Sequence, residues 1–309
     1  MQNREKKRVV GIVGPTASGK TALSLRVAKA LGGEIICMDS MQLYRGMDIG
    51  TAKPTAQERA MIPHHMLDIL APDETFSVSQ YAQQAESIIR GLSTPLLVGG
   101  TGLYLQALSL PMNYGAVPGD GAVRAKYREI ANTQGPEALH TLLRERDPIS
   151  AARLHPHDVR RVVRALEVLE LTGVPLSAQK KPEPEAAAYD FQLYALDMPR
   201  SVLYNRIEQR VDEMMRQGLL GEVEALQKSG LSPEAQSMQG LGYKELLPVL
   251  RGEMRLEEAV SLLKLRTRHY AKRQLTWFKR DQRIQWLPWR PGEDLGPQAM
   301  RICQAYLEK

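Results

Sequence analysis

Gly14-Pro15-Thr16-Ala17-Ser18-Gly19-Lys20-Thr21 fills every fixed position of the phosphate-loop pattern G-x-x-x-x-G-K-[ST]. The flanks give the pattern its weight. Arg8 to Val13 is a β-branched run that leads into the loop, and it reads as a buried strand. Lys20 to Leu31 sets Leu23, Val27 and Leu31 at helical spacing and stops at Gly32-Gly33. A glycine loop between strand and helix turns backbone N–H groups toward phosphate oxygens, and the helix N-terminus adds partial positive charge. Residues 14–21 are therefore expected to hold a phosphorylated ligand, with Lys20 on its terminal phosphate and the Thr21 hydroxyl on Mg²⁺. The loop alone does not say which ligand.

The same alternation continues beyond the loop. Glu34 to Met38 reads as a second strand closing on Asp39. Pro95 to Val98 reads as a third, closing on Gly99-Gly100-Thr101-Gly102, and Leu103 to Leu108 as the helix that follows. Repeated strand, turn and helix predict an α/β fold with a parallel sheet. Ligands of such sheets gather outside the carboxyl ends of the strands, the edge shared by the loop, Asp39 and the Gly99–Gly102 turn. From Gly115 to Ala188 no strand pattern is found. Val159, Val162, Val163, Leu166 and Leu169 mark a helix there, ending at Gly173-Val174-Pro175, with Arg160, Arg161 and Arg164 on its other faces. Lys180 to Glu185 reads as a linker, Phe191 to Leu196 as a returning strand, and the chain from Ser201 as a long helix. The expected organisation is a core made of residues 1–114 and 191–309, interrupted by a helical insertion at 115–190.

Composition narrows the class. In 309 residues, 43% hydrophobic and 25% charged content is that of a globular protein able to bury a substantial core. A net charge of +6 suits a polyanionic partner without requiring one. Cys37 and Cys303 lie far apart, so neither a disulfide framework nor a cysteine metal site is expected, and a reducing compartment is. Val9 to Val13 is too short for a signal-peptide core and no stretch approaches a membrane span, so a cytoplasmic protein with no membrane partner is expected.

Asp39 admits three roles: a Walker-B-like Mg²⁺ ligand, a general base, or a turn cap. The stretch from Lys264 to Arg290 carries Arg268, Lys272, Arg273 and six further cations against Asp281 alone, together with Trp277, Phe278, Trp286 and Trp289. Cations interleaved with aromatics suit nucleic acid, although a docked amphipathic helix with a solvated basic face has the same composition. His155 and His157 flank Pro156 ahead of a helix, where an ordinary helix-start role is expected rather than metal binding. His64-His65 lie near a further expected strand, and no metal is expected there either.

In chain order the motifs are Gly-Pro-Thr-Ala-Ser-Gly-Lys-Thr (14–21), Asp-Ser-Met-Gln-Leu-Tyr (39–44), Gly-Thr-Ala-Lys-Pro (50–54) and Pro-His-His-Met-Leu-Asp (63–68). They continue with Val-Gly-Gly-Thr-Gly-Leu-Tyr (98–104), Arg-Arg-Val-Val-Arg-Ala-Leu-Glu (160–167), Gly-Leu-Gly-Tyr-Lys-Glu (240–245) and Thr-Arg-His-Tyr-Ala-Lys-Arg-Gln-Leu-Thr-Trp-Phe (267–278). Together they closely resemble those of the tRNA dimethylallyltransferases, or isopentenyl-tRNA transferases. The resemblance implies a P-loop NTPase-like parallel sheet flanked by helices. It also implies transfer of a dimethylallyl group from dimethylallyl diphosphate to the exocyclic amine of the adenosine just 3′ of certain anticodons. On this likeness the loop grips the donor's diphosphate with Lys20 and Mg²⁺, and Asp39 is the general base. Thr101 orients the base or the diphosphate, and Arg210, in preference to Arg206, clamps the diphosphate. The target base would lie among Asp39, Ser40, Met41, Gln42 and Thr101. The anticodon stem-loop would be gripped by Arg124, Arg160, Arg161 and Arg164 of the insertion, by Gln239, Gly242, Tyr243 and Lys244, and by Arg268, Lys272 and Arg273. With no cysteine/histidine extension after the basic stretch, a bacterial-type member acting as a monomer is expected.

Three alternatives share parts of this pattern. A nucleotide or small-molecule kinase would use the loop and Mg²⁺ but leave the basic aromatic stretch idle. An adenylate isopentenyltransferase would need no stem-loop grip. A nucleic-acid-binding module with a regulatory loop would not depend on Asp39.

Overall fold

The computed structural model describes residues 6–110, 119–179 and 188–308. Two compact units divide the chain, Met1–Ser109 with Ala187–Lys309 and Leu110–Ala186. The expected break at 114/115 and the Lys180 to Glu185 linker lie outside the described residues.

The first unit opens with β1 (Lys7–Val13), α1 (Lys20–Leu31), β2 (Glu34–Met38), α2 (Ala56–Met61), β3 (His64–His65), α3 (Val78–Gly91), β4 (Pro95–Gly99) and α4 (Gly102–Ser109). The second unit holds α5 (Gly121–Gln134), α6 (Pro136–Arg146), α7 (Pro148–Ala151) and α8 (Val159–Thr172). The first unit then resumes with β5 (Tyr189–Asp197), α9 (Arg200–Arg216), α10 (Leu219–Lys228), α11 (Tyr243–Leu250), α12 (Leu256–Phe278), β6 (Ile284–Pro288) and α13 (Gly296–Leu307). β5 begins at Tyr189, two residues before the strand expected from Phe191.

Six strands form one parallel sheet in the order β3-β2-β4-β1-β5-β6. β1 is central, with Val10 opposite Leu96 on one side and Gln192 on the other. A parallel strand covered on both faces must be apolar throughout, and Val9–Val13 is buried at every position. One helical cover is fixed by the stacking of Tyr81 of α3 on Tyr104 of α4, 3.7 Å between ring centres, with the Tyr81 hydroxyl donating to Cys37 O. β3 falls at His64–His65, where a strand is expected nearby, and β6 is an addition to the expected strands. β3 is only two residues long and has no apolar pattern, while β6 is a short strand inside the stretch read as basic and aromatic.

The second unit packs around Tyr127, Leu139, Leu143, Val162 and Leu166. Its core also holds the carboxylate of Glu167, which is fully buried. A buried carboxylate needs paired charge and hydrogen bonds, supplied by Arg124 at 2.8 Å, Arg164 at 2.6 Å and the Asp120 N–H at 2.8 Å. Burial would raise the Glu167 pKa, but these bonds outweigh it and hold the group below the usual carboxylate range.

Candidate active site

The loop between β1 and α1 has a backbone that few sequences tolerate. Gly14 and Gly19 take φ of 134° and 98°, and Ala17 takes 62°. The last is uncommon for a residue with a side chain, and it is held by Arg206 Nε, which donates to Ala17 O at 2.8 Å. Beneath Gly19 lies Trp289, which would sit 3.2 Å from any added Cβ, with the Arg206 guanidinium 5.3 Å above the ring centre. Of the uses open to the aromatics of this stretch, stacking on bases or packing, Trp289 has packing. It is buried and supports the loop from the end of β6.

A pocket opens at the carboxyl edge of the sheet, lined by Thr16, Lys20, Thr21, Asp39, Gln42, Gly99, Gly100 and Arg210 among others. Lys20 Nζ donates to Pro15 O at 2.6 Å. Burial, aided by Arg210, lowers its pKa to about 7, against the opposing pull of Asp39. Asp39 Oδ1 accepts the Met41 N–H at 3.0 Å, so this residue does cap its turn. Its pKa is nevertheless raised by burial, against the hydrogen bonds and Lys20, which favour the charged form. A carboxylate with a raised pKa is a better proton acceptor, so the cap and base roles are compatible in one residue. Thr101 Oγ1 accepts the Ser40 N–H at 3.2 Å, and Thr101 N–H donates to Met38 O at 3.1 Å, which ties the Gly99–Gly102 turn to the Asp39 strand end.

Arg206 and Arg210 separate cleanly. Arg210 lines the cavity with its guanidinium 3.5 Å from Thr16 Oγ1, whereas Arg206 braces the loop through Ala17 and Trp289.

Gln274 of α12 was not singled out by its sequence position, yet it joins both loops of the site. Its Oε1 accepts the Thr16 N–H and its Nε2 donates to Gly100 O, both at 2.9 Å. The available signal was spacing, since Gln274 falls between Ala271 and Phe278 on the buried face of the helix.

The expected RNA-contacting residues divide into two groups. Lys272, Arg273, Arg160 and Arg161 are exposed, the last paired with Asp158 at 3.0 Å. Arg268 pairs with Glu208, and Arg124 and Arg164 serve Glu167. Gly242 and Tyr243 are buried, so they support the structure instead of presenting a surface, while Gln239 is exposed and Lys244 half-buried. Trp277 stays 41% exposed over Gly102. Among the described residues no three His, Cys, Asp or Glu groups converge as metal ligands, and His64 lies in the cavity wall with Nδ1 against Ile62 O at 2.7 Å.

A family model described as IPP transferase matches residues 42–281, and one described as isopentenyl transferase matches residues 7–68. The chain belongs to the IPP transferase family. The family's tRNA dimethylallyltransferase from Pelotomaculum thermopropionicum is 47% identical over 287 residues, covering 92% of this chain and 91% of its own. That of Geobacillus thermodenitrificans is 48% identical over 284 residues, covering 91% and 90%. Among solved structures, the tRNA isopentenylpyrophosphate transferase from Bacillus halodurans superposes with a TM-score of 0.72 at 43% identity, covering 98% of this chain and 96% of its own. A eukaryotic dimethylallyltransferase acting on tRNA reaches a TM-score of 0.79 at 30% identity, covering 98% and 80%.

Proposed function

We propose that this family member transfers a dimethylallyl group from dimethylallyl diphosphate to the exocyclic amine of the adenosine immediately 3′ of the anticodon in tRNA. The observation that carries this reading is the placement of a buried, proton-accepting carboxylate, Asp39, in one cavity with the phosphate loop, Lys20 and Arg210. The adenine amine nitrogen attacks C1 of the dimethylallyl group, and the C1–O bond breaks with its electron pair passing to the diphosphate. The amine loses a proton to Asp39. An amine delocalised into a purine is a weak nucleophile, so removing its proton as the C–N bond forms is what the step requires. Lys20, Arg210 and the loop N–H groups meet the charge that develops on the leaving group. The Ser18 hydroxyl, buried without a protein partner, suits a diphosphate oxygen as its acceptor.

Mg²⁺ fits this site. The donors are hard oxygens, with Thr21 and the diphosphate completed by water, the set this ion prefers; bound there it would supply further positive charge to the leaving group. In the first unit the exposed cations of α12, Lys272 and Arg273, suit the phosphates of an anticodon stem-loop; in the second unit, described by itself, Arg160 and Arg161 of α8 are exposed cations as well. A monomer suffices, because one chain supplies every group named here.

One assay decides among the readings. Unmodified tRNA or AMP is incubated with labelled dimethylallyl diphosphate or labelled ATP, and the label is followed. Prenyl label in tRNA alone is expected. Phosphate transfer from ATP would establish a kinase, and prenylated AMP without prenylated tRNA would establish an adenylate isopentenyltransferase.

A further inference from the structure

Glu222 lies on α10, outside every motif of the site, and its carboxylate serves one turn. Its Oε2 accepts the backbone N–H groups of Asp48 and Ile49, each at 2.8 Å. Its Oε1 accepts the Gly50 N–H at 3.0 Å and the Tyr243 hydroxyl at 2.7 Å. Three successive N–H groups converging on one anion form the kind of concavity in which backbones bind anions, here filled by a side chain. The buried Tyr243 closes the arrangement. A Cβ on Gly50 would come within 2.6 Å of its hydroxyl, so only glycine permits this contact. Burial, and then the charge of Glu222, drive the Tyr243 pKa upward and keep the hydroxyl a donor.

The turn held in this way continues into Thr51 and Ala52, whose carbonyls accept from Gln42 Nε2 at 3.0 and 3.2 Å. Ala52 has a φ of 50°, a conformation a side-chain-bearing residue rarely takes unsupported. With both amide protons of Gln42 committed, its oxygen remains as an acceptor. Gln42, Thr51 and Ala52 line the same cavity as Asp39. An exocyclic amine carries two N–H groups. One serves Asp39, and an amide oxygen suits the other.

We infer that Glu222 is a positioning residue for prenyl transfer. Through the 48–52 turn it sets Gln42 beside Asp39, and with it the pose of an aminopurine acceptor, while leaving the diphosphate grip untouched. The inference rests on the proposed function, and wild-type protein that fails to prenylate tRNA would sink both together. With an active wild type, Glu222→Gln and Gln42→Ala are compared singly and combined. The amide in Glu222→Gln turns an N–H₂ toward donors, so each single variant is expected to lower kcat by about tenfold or more, the scale of a charge-assisted hydrogen bond lost in the transition state. The double variant should be no slower than the slower single one, and dimethylallyl diphosphate should bind all three like wild type when tRNA is absent. Multiplying effects, a matching loss of donor affinity, or a wild-type rate for Glu222→Gln would each overturn the inference. If Glu222→Gln does not fold, Tyr243→Phe, which keeps the ring, takes its place in the cycle. Its loss must then vanish in the Gln42→Ala background, and persistence there overturns the inference.

Discussion

Lys20 permits a quantitative test because its charge in the free protein is only partly secured. Burial, with Arg210 acting in the same direction and Asp39 opposing, lowers its pKa to about 7. A diphosphate arriving at the loop places negative charge against the ammonium and favours its protonated form. Binding then draws a proton from solvent wherever the free lysine is neutral. At pH 8 such a lysine carries its proton in only about one molecule in ten, so uptake approaches ~0.9 proton per site. Donor affinity should be greatest just below pH 7. It should fall about tenfold, or about 1.4 kcal/mol, for each pH unit above 7 until the pKa of the bound state is passed. Calorimetric titration of dimethylallyl diphosphate at pH 8, without tRNA and in two buffers of different ionisation enthalpy, measures the uptake. Lys20→Met should abolish both the uptake and the pH dependence. Tight binding by the wild type with no proton uptake would show that Lys20 is already charged in the free protein and that burial does not depress it.

Three further outcomes are expected. Asp39→Asn keeps the size of the side chain but cannot take a proton, so turnover should fall by about 10² to 10⁴ while both substrates still bind; near wild-type turnover in a single-turnover assay would remove Asp39 as the base. Gln274→Ala leaves the Thr16 N–H and Gly100 O without their partner, which should cost about 2–4 kcal/mol in urea unfolding and weaken donor binding; a cost below about 0.5 kcal/mol would mean the two loops do not depend on it. Replacing Lys272 and Arg273 together by alanine should flatten the slope of log K for tRNA against log salt by about one to two units, and an unchanged slope would place the RNA elsewhere.

What could be read from the sequence was whatever is settled locally. The phosphate loop carries its own geometry in Gly14, Gly19 and the flanking strand and helix. Asp39 and Gly99–Gly102 were legible because a parallel sheet puts all strand ends on one edge. Residues whose roles depend on a distant partner were not legible. That Arg124 and Arg164 also pair with a buried Glu167 cannot be read from their positions in the sequence. Trp289 looks like a base-stacking ring until Gly19 is found above it. Gln274 and Glu222 are ordinary polar residues on amphipathic helices, and only the tertiary fold brings them to loops far away in the chain. β6 is not legible because five residues within a basic stretch leave too little periodicity to read.

The central place of β1 has a consequence for how this chain is made. One side of β1 is paired once β4 has left the ribosome, but the other awaits β5, and the second unit is synthesised in between. At ordinary translation speeds the gap from Gly99 to Tyr189 lasts roughly 5 to 20 s, far longer than helices take to form. Throughout that interval one edge of β1, apolar from Val9 to Val13, has no native partner, the kind of template on which chains aggregate. The length of the inserted segment thus sets how long one side of the central strand waits for its partner.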